Sequence, residues 1–199
     1  MLDDASPELD GDQVRIMVVE HRVRVIQATR PFVVCAAVVA VFTALLMVER
    51  LGMAAQLPAY LYFVVVGVPL ATIDATTGKL PNRLTLPSYP ILVIMLSAAE
   101  IASPNQGSTV RAATAGVLLV ALFMVSALVR GVGLGDVKLA GVLGLVLGFR
   151  GWTTVYIGML AAFALAAIFI VFSGFRPGSR ERIPLGPFLV AGALIAVLL

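Results

Sequence analysis

Residues 152–172, WTTVYIGMLAAFALAAIFIVF, form an apolar run without a charged side chain. About 20 apolar residues are enough for one α-helix to cross the hydrocarbon core of a bilayer. A helix satisfies its backbone N–H and C=O groups internally, which lipid cannot do for them. This stretch therefore predicts a membrane protein built from helices.

Similar apolar runs recur along the chain and account for its composition. Hydrophobic residues make up 60% of the sequence and the mean hydropathy is +1.04, whereas soluble domains are roughly 45–50% apolar. We therefore expect an all-α fold, a polytopic membrane helix bundle with six to seven transmembrane helices. The runs lie at about 31–48, 58–73, 84–101, 110–129, 137–149, 152–172 and 184–199.

The run at 137–149 is short and rich in glycine, and it leaves two interpretations open. It is either a short span shielded by its neighbours or a re-entrant segment, since irregular backbone is tolerated at membrane depth only inside protein. The spacing of Gly141, Gly144 and Gly148 would allow another helix to approach closely. The predicted number of spans depends on this choice.

The N-terminus is polar, and we divide the chain into a cytoplasmic tail at 1–30 and a transmembrane domain at 31–199. The tail carries acidic residues first and basic residues second, the opposite of a cleavable signal peptide. The first apolar run is therefore expected to be retained. A short surface helix is predicted from Val14 to Thr29.

Basic residues are distributed unequally between the two sides of a seven-span topology. With the tail in the cytoplasm, eleven of the fourteen lysines and arginines fall on the cytoplasmic side, and Arg50, Arg111 and Arg150 fall on the other. Cytoplasmic loops of membrane proteins are enriched in lysine and arginine. This bias accounts for the net charge of +3 without nucleic acid as a partner.

Asp74 and Asp136 are the only aspartates after residue 12, and each lies where an apolar run meets a polar loop. The predicted topology places both on the cytoplasmic side. An ionisable side chain within a span costs roughly 2.5–3.5 kcal/mol on insertion scales, so one that is retained usually has a function. Taken alone, Asp74 also fits a boundary carboxylate paired with Lys79 or Arg83.

The residue types missing from the apolar part restrict its chemistry. His21 is the one histidine and lies in the tail, while Cys35 is the one cysteine. This excludes a His-Glu-x-x-His zinc site, a Ser-His protease in the membrane body and a Cys-x-x-Cys zinc site. Two aspartates that share a proton can instead activate water as a coupled acid–base pair. No metal and no cofactor are expected.

The loop before Asp136 is rich in glycine. Gly131, Gly133 and Gly135 remove side-chain bulk, which would let another backbone or an extended substrate approach. A phosphate-binding loop should follow a strand and open a soluble helix, and neither context is present. Lys138 either extends its amine to the interface or balances charge at the site.

Three stretches of this sequence resemble the signature regions of type IV prepilin peptidases, which are intramembrane aspartyl proteases of the Gly-x-Gly-Asp type. They occur in order, each at a span boundary, and the similarity covers about residues 58–199. The stretches are Asp74 with Leu80-Pro81-Asn82, Gly133-Leu134-Gly135-Asp136-Val137-Lys138, and Ile183-Pro184-Leu185-Gly186-Pro187-Phe188-Leu189.

The resemblance implies cleavage of a short basic leader from precursors of type IV pilin-like proteins, Flp/Tad pilins or type II secretion pseudopilins. The reaction would occur at the cytoplasmic face of a bacterial or archaeal plasma membrane, with the precursor and membrane lipid as partners. Asp74 and Asp136 would be the catalytic pair. The supporting or substrate-binding positions would be Gly133, Gly135, Lys138, Pro81, Asn82, Pro184, Gly186 and Pro187.

Bifunctional members of that family carry an additional cytoplasmic region with paired Cys-x-x-Cys, associated with methylation of the new N-terminus. This chain has a single cysteine and resembles the short members. Methylation is therefore not expected.

Two other classes of function fit the same residues. A small transporter or proton-conducting protein would use Asp74 and Asp136 as a relay. Such a path should place polar groups through the bilayer and often shows internal repeats, whereas here both acids lie at one face. A catalytically idle assembly protein of the same fold is the other alternative, and intact aspartates in both loops argue against it.

Overall fold

The structure is a computed structural model of the 199-residue chain, and it describes residues 34–77, 80–129, 133–173 and 184–199. The tail at 1–30 with its predicted helix from Val14 to Thr29, and also Gly131 and Ile183, lie outside the described residues. By its internal contacts the chain divides into Met1–Cys35 and Ala36–Leu199. The described residues begin with Val34 and Cys35, which belong to the first unit, and all the others belong to the second unit.

Seven α-helices account for the described part of the chain, in which every regular element is a helix. Each of the seven apolar runs corresponds to one helix, which confirms the all-α bundle. The helices are α1 (Val34–Leu51), α2 (Leu57–Thr77), α3 (Asn82–Ala102), α4 (Thr109–Leu128), α5 (Leu134–Arg150), α6 (Trp152–Phe172) and α7 (Gly186–Leu198).

Five of these helices, α1 to α4 and α6, are long and apolar enough to cross a membrane by length and composition. α7 is apolar but has 13 residues, and α5 has 17. Large apolar side chains such as Val117, Leu160 and Phe172 are exposed on the outer faces of the long helices. Exposed apolar surface of this extent marks a face that contacts another apolar phase, and lipid fits it here.

α5 is enclosed by its neighbours. Thirteen of its 17 residues are buried, and it contacts α2, α3, α4, α6 and α7. It is one continuous helix from Leu134 to Arg150. A continuous, enclosed helix favours the shielded short span for 137–149 over the re-entrant segment, and the number of spans stays a prediction. The surrounding helices cover α5 on its sides, so its short length does not expose polar backbone to lipid.

Glycines bring α4 and α5 into direct backbone contact. A Cβ atom added to Gly144 would lie 2.5 Å from Cα of Gly116, and one added to Gly148 would lie 2.5 Å from Cβ of Ala115. Side chains at either glycine would force the helices apart. The close approach predicted from the glycine spacing is confirmed, and it allows van der Waals packing between helices that have no hydrophobic drive to associate in lipid.

Contacts between helix termini define two ends of the bundle. At one end, Lys138 of α5 bonds to Asn82 at the start of α3, and the first residue of α7 bonds to Asp74 in the last turn of α2. At the other end, Arg111 in the first turn of α4 bonds to carbonyls in the last turn of α5. We call these the aspartate end, which holds Asp74 and Asp136, and the arginine end, which holds Arg111 and Arg150.

Candidate active site

Asp74 lies in the last turn of α2 and is 5% exposed. It follows Leu70 by four residues, so it continues the buried face of α2. Its Oδ2 atom accepts a hydrogen bond of 2.9 Å from the backbone N–H of Gly186. Gly186 begins α7, where the unpaired N–H groups and the helix dipole favour a negative charge. The contact therefore stabilises the Asp74 carboxylate in one orientation.

Asp136 lies in the first turn of α5 and is 8% exposed. Its Oδ2 atom accepts a hydrogen bond of 3.3 Å from the backbone N–H of Gly133, the N-cap residue of α5. An acidic side chain at the third helical position commonly reaches back to the N-cap in this way. Asp136 is thus held at the positive end of the helix that carries it.

The segments beside the two aspartates contact each other. Lys138 Nζ donates a hydrogen bond of 2.7 Å to Asn82 Oδ1. A Cβ atom added to Gly135 would lie 3.0 Å from Cδ1 of Leu80, so Leu80 packs directly on Gly135. Leu80 and Asn82 lie just after α2 in the sequence, whereas Gly135 and Lys138 flank Asp136. These contacts hold the end of α2 and the start of α5 at the same end of the bundle.

Gly133 and Gly135 have different surroundings. Among the described residues, a Cβ atom at Gly133 would meet nothing closer than Oδ2 of Asp136 at 3.5 Å, an ordinary van der Waals distance. The space beside Gly135 is filled by Leu80. That these glycines leave room for an approaching backbone stays a prediction at Gly133. At Gly135 it is wrong, because a side chain of the same protein occupies that room.

The third predicted region lies against Asp74. A Cβ atom at Gly186 would lie 2.6 Å from Oδ2 of Asp74 and 3.0 Å from its Cβ and Cγ, so this position has no room for a side chain. Pro187 follows in the first turn of α7, where a missing N–H breaks no helical bond. Pro184 is half-buried just before the helix. The third region therefore shapes the contact between α7 and the aspartate.

The remaining predicted positions lie at the start of α3. Pro81 is the N-cap residue of α3, and its carbonyl accepts the N–H groups of Leu84 and Thr85. Asn82 begins the helix and holds Lys138, as described above. The structure thus brings all the predicted site residues to the aspartate end, while their roles in a reaction stay predictions.

One residue at this end, Tyr89, is not among the site residues predicted from the sequence. The hydroxyl group of Tyr89, in α3, donates a hydrogen bond of 2.7 Å to the backbone carbonyl of Lys138. Tyr89 and Lys138 are 49 positions apart. No motif in the sequence links an aromatic residue in one apolar run to a carbonyl in another, so only the folded arrangement shows the contact.

The chemistry available at this end is that of two buried carboxyl groups. Within residues 34–77, 80–129, 133–173 and 184–199, no three His, Cys, Asp or Glu side chains form a group that could hold a metal ion. Carboxyl groups in apolar surroundings can exchange protons with water and with a peptide group.

The chain matches the type IV leader peptidase family over residues 61–171, more than half of its length. The match includes both aspartates and ends before Pro184. The chain belongs to this family. Together with the five apolar helices, this membership indicates an integral membrane protein.

Curated relatives point to the same family. The chain is 30% identical to the prepilin leader peptidase/N-methyltransferase of Bacillus subtilis (strain 168) over 75% of the chain and 58% of that protein. It is 33% identical to proteins of the same name from Burkholderia pseudomallei strains 1026b and K96243, over 62% of the chain and 40% of each relative. The chain thus spans about half the length of these relatives. No solved structure matches it.

Proposed function

We propose that this chain is an aspartic endopeptidase that cleaves the leader peptide from prepilin or pseudopilin precursors. Family membership and the names of the relatives support leader cleavage. The observation that carries the aspartate mechanism is the burial of two carboxyl groups at one end of the bundle. Among the described residues, Asp74 and Asp136 are the only buried acidic side chains.

In the proposed reaction the two aspartates share one proton. The ionised carboxylate accepts a proton from water as the water oxygen attacks the scissile carbonyl, to which the protonated partner donates a hydrogen bond. That partner's proton then passes to the leaving amine, and the pair returns to its singly protonated state. Water and peptide become the leader's carboxylic acid and the amine of the mature protein.

The backbone contacts at the site support this role. The N–H groups of Gly186 and Gly133 each fix one carboxylate oxygen, which restricts rotation of the two aspartate side chains. Groups held in place before reaction lose less entropy on reaching the transition state. The lack of a side chain at Gly133 would let an extended substrate backbone approach Asp136 closely.

The proposal places the reaction at the cytoplasmic face of a bacterial or archaeal plasma membrane. The positive-inside bias supports this orientation, because the topology predicted from the sequence assigns eleven of the fourteen basic residues to the same side as both aspartates. A short basic leader preceding an apolar pilin helix suits an acidic site at the membrane boundary. The substrate classes are type IV pilin-like, Flp/Tad pilin and type II secretion pseudopilin precursors.

The test is co-expression with a candidate prepilin, following loss of the leader for the native chain, Asp74→Asn and Asp136→Asn. Asparagine keeps the approximate shape but cannot transfer the proton, so each variant should lose cleavage by about a thousandfold or more. The matched control is Glu100→Gln, the same change of acid to amide at the arginine end, where Glu100 accepts the N–H of Thr109. It should cleave at close to the native rate.

Each outcome of this test bears on a different part of the proposal. Cleavage at the native rate by either asparagine variant would show that the paired-aspartate mechanism is wrong. A native chain that cleaves no precursor but dissipates a proton gradient in vesicles would favour the relay. In sealed vesicles, precursor added from outside should be cleaved only when the cytoplasmic face is outward.

A further inference from the structure

We infer that Tyr89 is a positioning residue for the aspartate site, holding the first turn of α5 and with it Asp136. The inference rests on the proposed function, because it assigns Asp136 a place in the reaction. Tyr89 does not touch the reacting atoms in this assignment. It acts through the backbone of Lys138, two residues after Asp136.

The contact is made with the backbone rather than with a side chain. Tyr89 Oη donates to the Lys138 carbonyl at 2.7 Å, a normal length for a strong O–H···O bond. A helical carbonyl already points along the helix axis toward the residue four positions later. A second donor from α3 therefore fixes the direction of this peptide group relative to a different helix.

Gly141 makes the approach of Tyr89 to α5 possible. A Cβ atom at Gly141 would lie 2.1 Å from the Tyr89 hydroxyl oxygen and 2.9 Å from its ring carbon Cζ. Gly141 follows Lys138 by three residues, so it lies on the same face of α5, one turn further along. The absence of a side chain there leaves the tyrosine hydroxyl within reach of the carbonyl.

Lys138 is attached to α3 at a second point. Its Nζ atom donates to Asn82 Oδ1 at 2.7 Å. Asn82 and Tyr89 are seven residues apart, which puts them on one face of α3, two turns from each other. One residue of α5 is therefore held through its side chain and through its carbonyl. Two attachments restrict rotation of the first turn of α5 as well as its movement along α3.

Positioning at this distance matters because Asp136 is rigidly connected to Lys138. Residues two apart in a helix are only about 3 Å apart along its axis. Because the helix is rigid over this distance, the Asp136 carboxyl moves about as far as the Lys138 peptide does. A misplacement of about 1 Å can cost about a hundredfold in rate. Loss of the Tyr89 contact alone leaves Asn82 in place, so its effect is smaller.

The experiment compares Tyr89→Phe with Tyr62→Phe in the full-length protein. Tyr62 is the matched control: its hydroxyl also hydrogen-bonds to α3, at 3.2 Å from Ser88 Oγ, so this bond ends on a side chain of α3 and not on the backbone of α5. Each variant loses one hydroxyl group. Tyr89→Phe should lower kcat for prepilin cleavage about threefold to tenfold with KM within twofold of native, and Tyr62→Phe should leave both unchanged.

Hydrogen exchange measured by mass spectrometry tests the positioning without an activity assay. Amides in the first turn of α5 should exchange about threefold to tenfold faster in Tyr89→Phe than in the native chain, and at the native rate in Tyr62→Phe. If the native chain cleaves no prepilin, the proposed function fails, and this measurement alone decides whether Tyr89 holds the helix.

A double variant tests the two-point attachment. Because either contact alone still ties Lys138 to α3, Tyr89→Phe with Asn82→Ala should lose more activity than the product of the two single losses. A loss equal to that product would overturn the two-point attachment. The inference as a whole is overturned if Tyr89→Phe behaves like Tyr62→Phe in both measurements. It also fails if Tyr89→Phe raises KM without lowering kcat.

Discussion

Charged side chains at the two ends of the bundle are held by different kinds of hydrogen bond. At the arginine end, long side chains reach the backbone. Arg111 donates from Nε to the carbonyl of Gly148 at 2.8 Å and from Nη2 to that of Phe149 at 2.5 Å. Arg150 donates to the carbonyl of Val197 in the last turn of α7. These cations cap the C-termini of α5 and α7, where the helix dipole favours them.

At the aspartate end, backbone N–H groups lie close to the carboxylate side chains and donate hydrogen bonds to them. Asp74 and Asp136 are short, and the N–H groups that they accept belong to Gly186 and Gly133, next to the starts of α7 and α5. α5 and α7 thus each have a carboxylate bound near the N-terminus and a guanidinium bound at the C-terminus. The arginines supply several donors across a distance, whereas the aspartates depend on close approach of a glycine.

This difference predicts where each end is vulnerable. A single methyl group should disturb the aspartate end, because its contacts depend on the absence of a Cβ atom at Gly186. The arginine end should respond to the loss of donors, because its contacts depend on the length and charge of the side chain. The first kind of change should affect cleavage and the second should affect stability.

The larger of these effects is expected for Gly186→Ala. Its Cβ atom would lie 2.6 Å from Oδ2 of Asp74, so the carboxyl must rotate away and lose the Gly186 N–H. We expect prepilin cleavage to fall about a hundredfold, as for a misplacement of about 1 Å. The matched control is Gly67→Ala, also between α2 and α7, where the nearest atom to the new Cβ would be 3.3 Å away. Equal cleavage rates in the two variants would contradict the comparison at the aspartate end.

Arg111→Gln should have a moderate effect, on stability. It removes the charged donors to two carbonyls in the last turn of α5, and hydrogen bonds to charged groups contribute about 1.5–3 kcal/mol each. We expect the free energy of unfolding in detergent to fall by about 3 kcal/mol, the lower bound for two such bonds, with unchanged cleavage per folded molecule. Arg50→Gln, the same change at an exposed residue that the predicted topology assigns to the same side, should have little effect. Loss of cleavage by Arg111→Gln at native stability would contradict the separation of the two ends.

Sequence patterns predicted the features whose signal is local. Runs of about 20 apolar residues need only their own composition to indicate a span. Asp74 and Asp136 were conspicuous because acidic residues are costly within such runs. The glycine spacing in α5 predicted close packing, although it did not identify α4 as the partner. In each case the information lies within one helix.

Contacts between helices were not predictable in the same way. Gly186 and Asp74 are 112 positions apart, and Tyr89 and Lys138 are 49 apart. Family resemblance pointed to Gly186 as a supporting position but gave it no partner. Leu80 fills the space beside Gly135, and Arg111 caps α5, only because the helices meet in one particular register. Such a register depends on the packing of the whole bundle, which periodicity within one run does not specify.

The smallest effect is expected for Lys138→Met, which also distinguishes the two roles considered for this lysine. Its Nζ–Asn82 hydrogen bond is exposed, and water replaces exposed polar contacts at little cost, so cleavage should fall only about twofold. Tyr89 still holds the carbonyl of residue 138, because the substitution leaves the backbone intact. Asn82→Ala removes the same bond, so the double variant should equal either single variant.

If Lys138 instead balances charge at the aspartates, Lys138→Met should shift the pH–rate profile of cleavage while Asn82→Ala leaves it in place. We expect the pH–rate profiles of the two variants to coincide, because Lys138 acts through a hydrogen bond that connects α5 to α3.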